Sequence, residues 1–201
     1  MTSNIAGGCD FPVDPALHPP DVAVFWSPQL DTGSVILQPA SPLFGEEAGQ
    51  PVTAYHKAQV DEFGVSYRLP IGADDALNVL QVDGQTESKL VAIVPLSIDG
   101  FGRLAALQRL LALLHNRAIP PDTRMTGQQR TRAAKMLRAS DGRAEGASQQ
   151  DIARQLLRMA RQDRHAWQES SARFAVMALL RDARDMISGG YRKLLRHRIQ
   201  P

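Results

Sequence analysis

The hydrophobic period of this chain changes once, near residue 100. Before that point apolar residues gather in short runs rich in Val, Ile and aromatics; from Arg103 onward they recur every three or four positions, and no strand pattern returns. A chain patterned in this way must place its strands in one module and its helices in another. That predicts an α+β fold: a small, mostly antiparallel β module followed by an all-α module of four to five helices. Strands are expected at 22–26, 34–37, 52–55, 65–69, 77–82 and 89–96, parted by turn-forming groups such as Ser27-Pro28, Asp31-Thr32-Gly33 and Pro70-Ile71-Gly72. The strongest hairpin signal joins 79–82 to 90–94 across Asp83-Gly84-Gln85.

The first helix is expected from Arg103 to about Asn116, with Leu104, Leu107, Leu111 and Leu114 as its inward stripe. A second starts at Thr126, whose spacing to Gln129 fits a capping box, and is closed near Ala139 by Asp141-Gly142. The third starts at Ser148, with the same spacing to Asp151, and buries Ile152, Ala153 and Leu156. A longer fourth helix covers about 171–188 before Gly189-Gly190, and 191–196 can form one short last turn. Residues 1–20 carry too many glycines and prolines for a helix. The expected division is a flexible segment over 1–20, an acidic β module over 21–98 and a basic helical module over 99–201.

Charge follows the same boundary. Residues 1–100 hold 3 Lys and Arg against 13 Asp and Glu, while 101–201 hold 20 against 8, so a total of +2 conceals halves of −10 and +12. Eighteen of the 20 basic residues in the second half are arginine. The planar guanidinium fork suits phosphates and guanine edges better than a lysine point charge does, so the basic half is expected to meet nucleic acid.

Other classes of function find little support. The chain has one cysteine, Cys9, and five scattered histidines, so neither a disulfide nor a metal site is expected, and no cofactor is implied. The Leu-rich run at 104–114 is interrupted by Gln108 and Arg109, which argues against a membrane span. Residues 5–9 faintly resemble a lipoprotein cleavage box without the charged and apolar regions that would precede one, which leaves the cytoplasm as the expected location. There is no Gly-rich phosphate loop, nucleophile elbow or HExxH, and the acid pairs Glu46-Glu47, Asp61-Glu62 and Asp74-Asp75 are adjacent rather than facing, so an enzyme is not expected.

Within the basic half, 147–189 reads as helix, turn, longer helix, the layout in which the second helix enters the major groove of DNA. Wound at ~100° per residue from Arg173, the fourth helix puts Arg184 at ~20°, Ser170 at ~60° and Arg181 at ~80°, with Val176, Leu179, Leu180, Ala183 and Ile187 between ~240° and ~340°. Its apolar and arginine faces are separate. Arg173, Ser170, Ser171, Arg181 and Arg184 are therefore candidates to reach base edges, and Arg154, Arg158, Arg192 and Lys193 to hold phosphates. Arg154, Arg158 and Arg161 form a second stripe at i, i+4 and i+7, which equally suits a solvated helix face. Trp167, Tyr191, Met177 and Met186 are expected in the core. The stretch from Arg158 to Ser170 is longer than the three or four residues of a compact helix-turn-helix, so either the third helix continues to about Arg161 or the turn is elaborated around Trp167.

Asp141-Gly142-Arg143, Gly146-Ala147-Ser148, Asp151-Ile152-Ala153, Trp167, Arg173 and the run from Gly189-Gly190-Tyr191 to Leu195 together resemble the family catalogued as domain of unknown function 2285 (DUF2285). More weakly, the resemblance extends through 104–114 to Phe25-Trp26 and 34–37, covering about 11–196. It implies a helix-turn-helix regulator of a bacterial integrative and conjugative element, either a transcriptional activator or an antiactivator that binds a partner regulator instead of DNA. Activators of that family often carry a further small module ahead of the β region; none is expected within these residues, which leaves open whether the protein works alone, acts as an antiactivator or is completed by another reading frame. Its β module tilts the expectation toward the DNA-binding form. The leading expectation is a DNA-binding transcriptional regulator whose partner is double-stranded DNA, with another regulator or RNA polymerase as a further partner and no predicted oligomeric state.

Overall fold

The computed structural model describes residues 24–45, 52, 56–72, 75–82 and 89–197. The chain divides into two compact units, one comprising 1–124 with 195–201 and the other 125–194. The α+β reading holds: a five-stranded, mostly antiparallel sheet precedes a set of helices.

The first unit contains β1 (Val35–Pro39), β2 (His56–Asp61), β3 (Gly64–Pro70), β4 (Ala76–Val82), β5 (Leu90–Ile93) and α1 (Gly100–Leu114). Strand order is β2-β3-β4-β1-β5. The expected hairpin between 79–82 and 90–94 is therefore wrong. β1 lies between them, parallel to β4 with Val35 opposite Val79 and antiparallel to β5 with Leu37 opposite Ala92. Val35 and Leu37 alternate with less buried neighbours, and a central position lets both pack on the covered face of the sheet.

The hairpin with a two-residue loop is β2–β3. Asp61 Oδ1 accepts from Phe63 N at 2.8 Å and Gly64 N at 3.1 Å, which fixes its turn. Gly64 has φ of 142°, and a Cβ there would lie 2.1 Å from the Gln81 carbonyl oxygen, so only glycine fits. Of the strand expected at 22–26, the described part shows a single bridge residue, Trp26, and most of the strand expected at 52–55 lies outside the described residues. So do the segment 1–20 and the turn Asp83-Gly84-Gln85.

The core of this unit joins Val35, Leu37, Val52, Tyr67, Leu69, Leu77, Val79 and Leu90 to Ala106 and Leu110 of α1. The expected stripe on α1 is met in part: Leu107 and Leu114 pack against this core, but Leu104 and Leu111 are exposed. The helix is turned because two arginines go inward: Arg103 is only 7% exposed and donates to the carbonyls of Ser34 and Pro28, and Arg109 donates to Pro120 O and pairs with Asp75.

Both points where the chain crosses between units are tied to one corner of the sheet unit. Arg124 NH1 meets buried Asp31 at 2.8 Å, and Asp31 also accepts from Gly33 N and Ser34 Oγ. Next to it, Thr32 N donates to Leu195 O at 3.1 Å and Thr32 Oγ1 accepts from His197 N at 3.1 Å.

The second unit contains α2 (Gly127–Ala144), α3 (Gln149–Leu157), α4 (Arg164–Glu169), α5 (Ser171–Ile187) and a 3-10 helix at Gly190–Leu194. Both expected capping boxes are present, Thr126 with Gln129 and Ser148 with Asp151. Asp141-Gly142 does not close α2, which continues to Ala144 before Gly146 turns the chain at φ of 90°. Ala139, Ile152, Ala153, Val176, Leu179 and Leu180 form the core, and Trp167 packs against it as expected. Ala153 is fully buried, and the absence of a longer side chain there lets α3 and α5 approach.

Candidate nucleic-acid interface

Between α3 and α5 the chain is neither a tight turn nor a longer third helix. Arg158 caps α3 in the left-handed conformation (φ 54°, ψ 38°), which ends the helix at Leu157. Asp163 then starts α4 by accepting from His165 N and Ala166 N at 2.9 Å. Half-buried Trp167 sits on this short helix, so the turn is elaborated around it. Ser170 separates α4 from α5, and its Oγ accepts from Ala172 N at 3.1 Å, a capping contact that satisfies one of the first free amides of α5.

α5 separates its faces as its sequence predicts. Val176, Leu179, Leu180 and Ala183 are buried, while Arg181 and Arg184 are exposed and Arg173 is half-buried at the edge of the same outward arc. Arg173 donates to Gln168 O at 3.1 Å and stands 5.8 Å from the centre of the Phe174 ring. Arg181 pairs with Asp182 at 3.2 Å, leaving some of its donors uncommitted. Asp182 turns toward α2, where Arg132 also holds it. The hydrogen bond from Arg132, supported by Arg181, keeps its carboxyl below the usual carboxylate range against the opposing effect of desolvation. Three guanidinium groups thus share an outward face; of the two carboxylates on α5, Asp182 is drawn toward α2 and Asp185 stands exposed beside the arginine arc.

Residues 93–196 match the protein family described as "T6SS, Transcription factor, DNA binding domain". The chain belongs to this family. Neither a curated protein nor a solved structure matches it. The DNA-binding domain so defined runs from Ile93, the last residue of β5, through α1 and the whole helical unit.

Within that domain the other candidate residues are dispersed. Arg154 pairs with Asp151 at 3.6 Å and is half-exposed. The stripe expected through Arg154, Arg158 and Arg161 is not continuous, because Arg158 leaves the helix and Arg161 lies beyond it. Ser171 is exposed at the first position of α5, and Arg192 and Lys193 are exposed in the last turn of the 3-10 helix. The helical unit carries 14 Lys and Arg against 7 Asp and Glu, a net of +7.

Two expectations for α5 fail. Met177, expected in the core, is 43% exposed, and Ile187, expected on the apolar face, is 63% exposed. Phe174, which the sequence did not single out, is 59% exposed. With Gln149, Ala178, Leu180, Arg181 and Arg184, Phe174 and Met177 line a shallow groove of about 340 Å³ on the helical unit. The signal was present in the winding of α5: at ~100° per residue Met177 falls between Arg184 and Arg181, inside the arginine arc. Among the described residues, no helix is long and apolar enough to cross a membrane, and no three His, Cys, Asp or Glu residues gather as a metal site.

Proposed function

We propose that the helical unit reads duplex DNA with the outward face of α5. Arg173, Arg181 and Arg184 are directed at base edges, Ser170 and Ser171 stand at the leading end of the helix, and Arg154, Arg158, Arg192 and Lys193 hold the flanking phosphates. The observation that carries this reading is the separation on α5 of a buried apolar face from a face that gathers three guanidinium groups, inside a transcription-factor DNA-binding domain. The acidic sheet unit is assigned to protein contact, with RNA polymerase or another regulator as its partner.

The resemblance to the domain of unknown function 2285 supports genes of a mobile or conjugative element as the target. The family description points to T6SS genes. A genome-wide binding map from the native host separates these two, and a focused peak is expected beside one set.

Binding in vitro tests the mode of contact. Affinity for the selected duplex should fall steeply as salt rises, because each phosphate contact releases counterions. Binding that ignores salt refutes phosphate contact by this unit. An antiactivator that keeps the fold but binds a regulator would instead enrich no duplex and co-purify with that protein.

A further inference from the structure

We infer that α5 reads thymine C5-methyl groups, using Phe174 and Met177, between the positions its arginines contact. The inference rests on the proposed reading of DNA by this helix and names the base that reading would select. Single exposed apolar side chains are ordinary, but here two large ones lie on the same outward arc as Arg173, Arg181 and Arg184, within a DNA-binding domain. A face meant only to meet water gains nothing from them.

The pattern suits the major groove. Guanidinium groups address the guanine O6 and N7 acceptors or the phosphates, and an apolar side chain discriminates thymine by its methyl group, the one apolar feature any base pair presents there. The surrounding positive charge suits a polyanion, which favours DNA over a protein partner for this surface. Phe174 and Met177 are three residues apart, a rise of about 4.5 Å along α5, against a base step of about 3.4 Å, so they are placed to meet neighbouring steps. Leu180 and Ala178 line the same groove, so a methyl group placed there meets further apolar side chains. Arg173 lies 5.8 Å from the Phe174 ring centre and is held by Gln168 O, so the first aromatic anchor comes with a cation already against it.

The test uses the full chain and a randomised duplex pool. The enriched sequence is resynthesised with deoxyuridine replacing thymine one position at a time, which removes a methyl group and keeps every hydrogen bond and charge. Wild-type protein should lose about fourfold in affinity at each contacted methyl, on one or two neighbouring steps. Phe174→Ala and Met177→Ala should each erase the thymine preference at one of those steps, read within each variant as a ratio of thymine to deoxyuridine affinity that falls from about four to about one. Equal affinity for thymine and deoxyuridine at every position, with Arg184→Ala still weakening binding, overturns the inference and leaves DNA reading by α5 standing. If no duplex is enriched, or if Arg184→Ala changes nothing, the reading by α5 falls and the inference falls with it.

Discussion

Arg103 and Arg184 are both arginines of the basic half, and they face opposite solvents. Arg103 is buried against the sheet unit, where it donates to the carbonyls of Ser34 and Pro28, and burial lowers its proton affinity while Asp31 and Asp99 oppose that effect. Arg184 stands exposed on α5: its backbone carbonyl accepts from Ser188 N, and its side chain has no partner among the described residues. Arg103→Ala should therefore cost roughly 1–3 kcal/mol for each buried carbonyl it orphans, read as a lower melting temperature, and leave the salt slope of DNA binding unchanged. Arg184→Ala should do the reverse: unchanged melting, and a loss of roughly 1–3 kcal/mol in preference for the selected site if its contact is bidentate to a base. Equal melting losses in the two variants would contradict this assignment of roles. Counting arginines in the sequence could not separate them, because charge is written in the residue type and burial is not.

At the scale of elements, the helix starts were legible and the strand partners were not. Ser148 and Thr126 announce their helices through bonds made within four residues, so spacing alone locates them. Ser148→Ala should cost about 1 kcal/mol of stability in the helical unit, measured by denaturant unfolding. The hairpin expected from 79–82 and 90–94 failed because β1, more than forty residues upstream of β4, takes the place between them, and adjacency in sequence carries no trace of that insertion. β2 was missed since His56-Lys57-Ala58-Gln59-Val60-Asp61 is an edge strand whose Val60 is exposed, leaving no clear alternation to read. On α1 the leucine stripe misled by roughly a quarter turn, because buried Arg103 and Arg109 occupy positions that hydrophobic patterning reserves for apolar residues.

The tie between α2 and α5 is an element-scale contact with a pH signature. Since Arg132 holds the Asp182 carboxyl below its ordinary value of 3.8, the stabilisation is fully present above that pH and is lost as pH falls through the lowered folded-state value. Circular dichroism of the helical unit should accordingly show acid unfolding that Asp182→Asn flattens. An unchanged acid limb in that variant would remove the contact from the unit's stability.

For the molecule as a whole, the unit boundary matters more than the charge boundary. The sharp change near residue 100 marks where helices begin, but α1 packs in the core of the sheet unit, and the compact helical unit starts at Met125. Its two chain connections are both fastened at Asp31 and Thr32, through Arg124 on one side and Leu195 with His197 on the other. Deleting 125–194 and joining the cut ends with a short Gly-Ser linker should leave the sheet unit folded, with its cooperative thermal transition retained. Loss of that transition would mean that the sheet unit needs the helical one.

The helical unit is therefore one uninterrupted stretch, entered and left through chain segments that meet at neighbouring residues of the sheet unit. An inherited exchange of that single internal stretch would leave the sheet unit's own chain path unchanged, and regulators of this build could acquire new targets without rebuilding it.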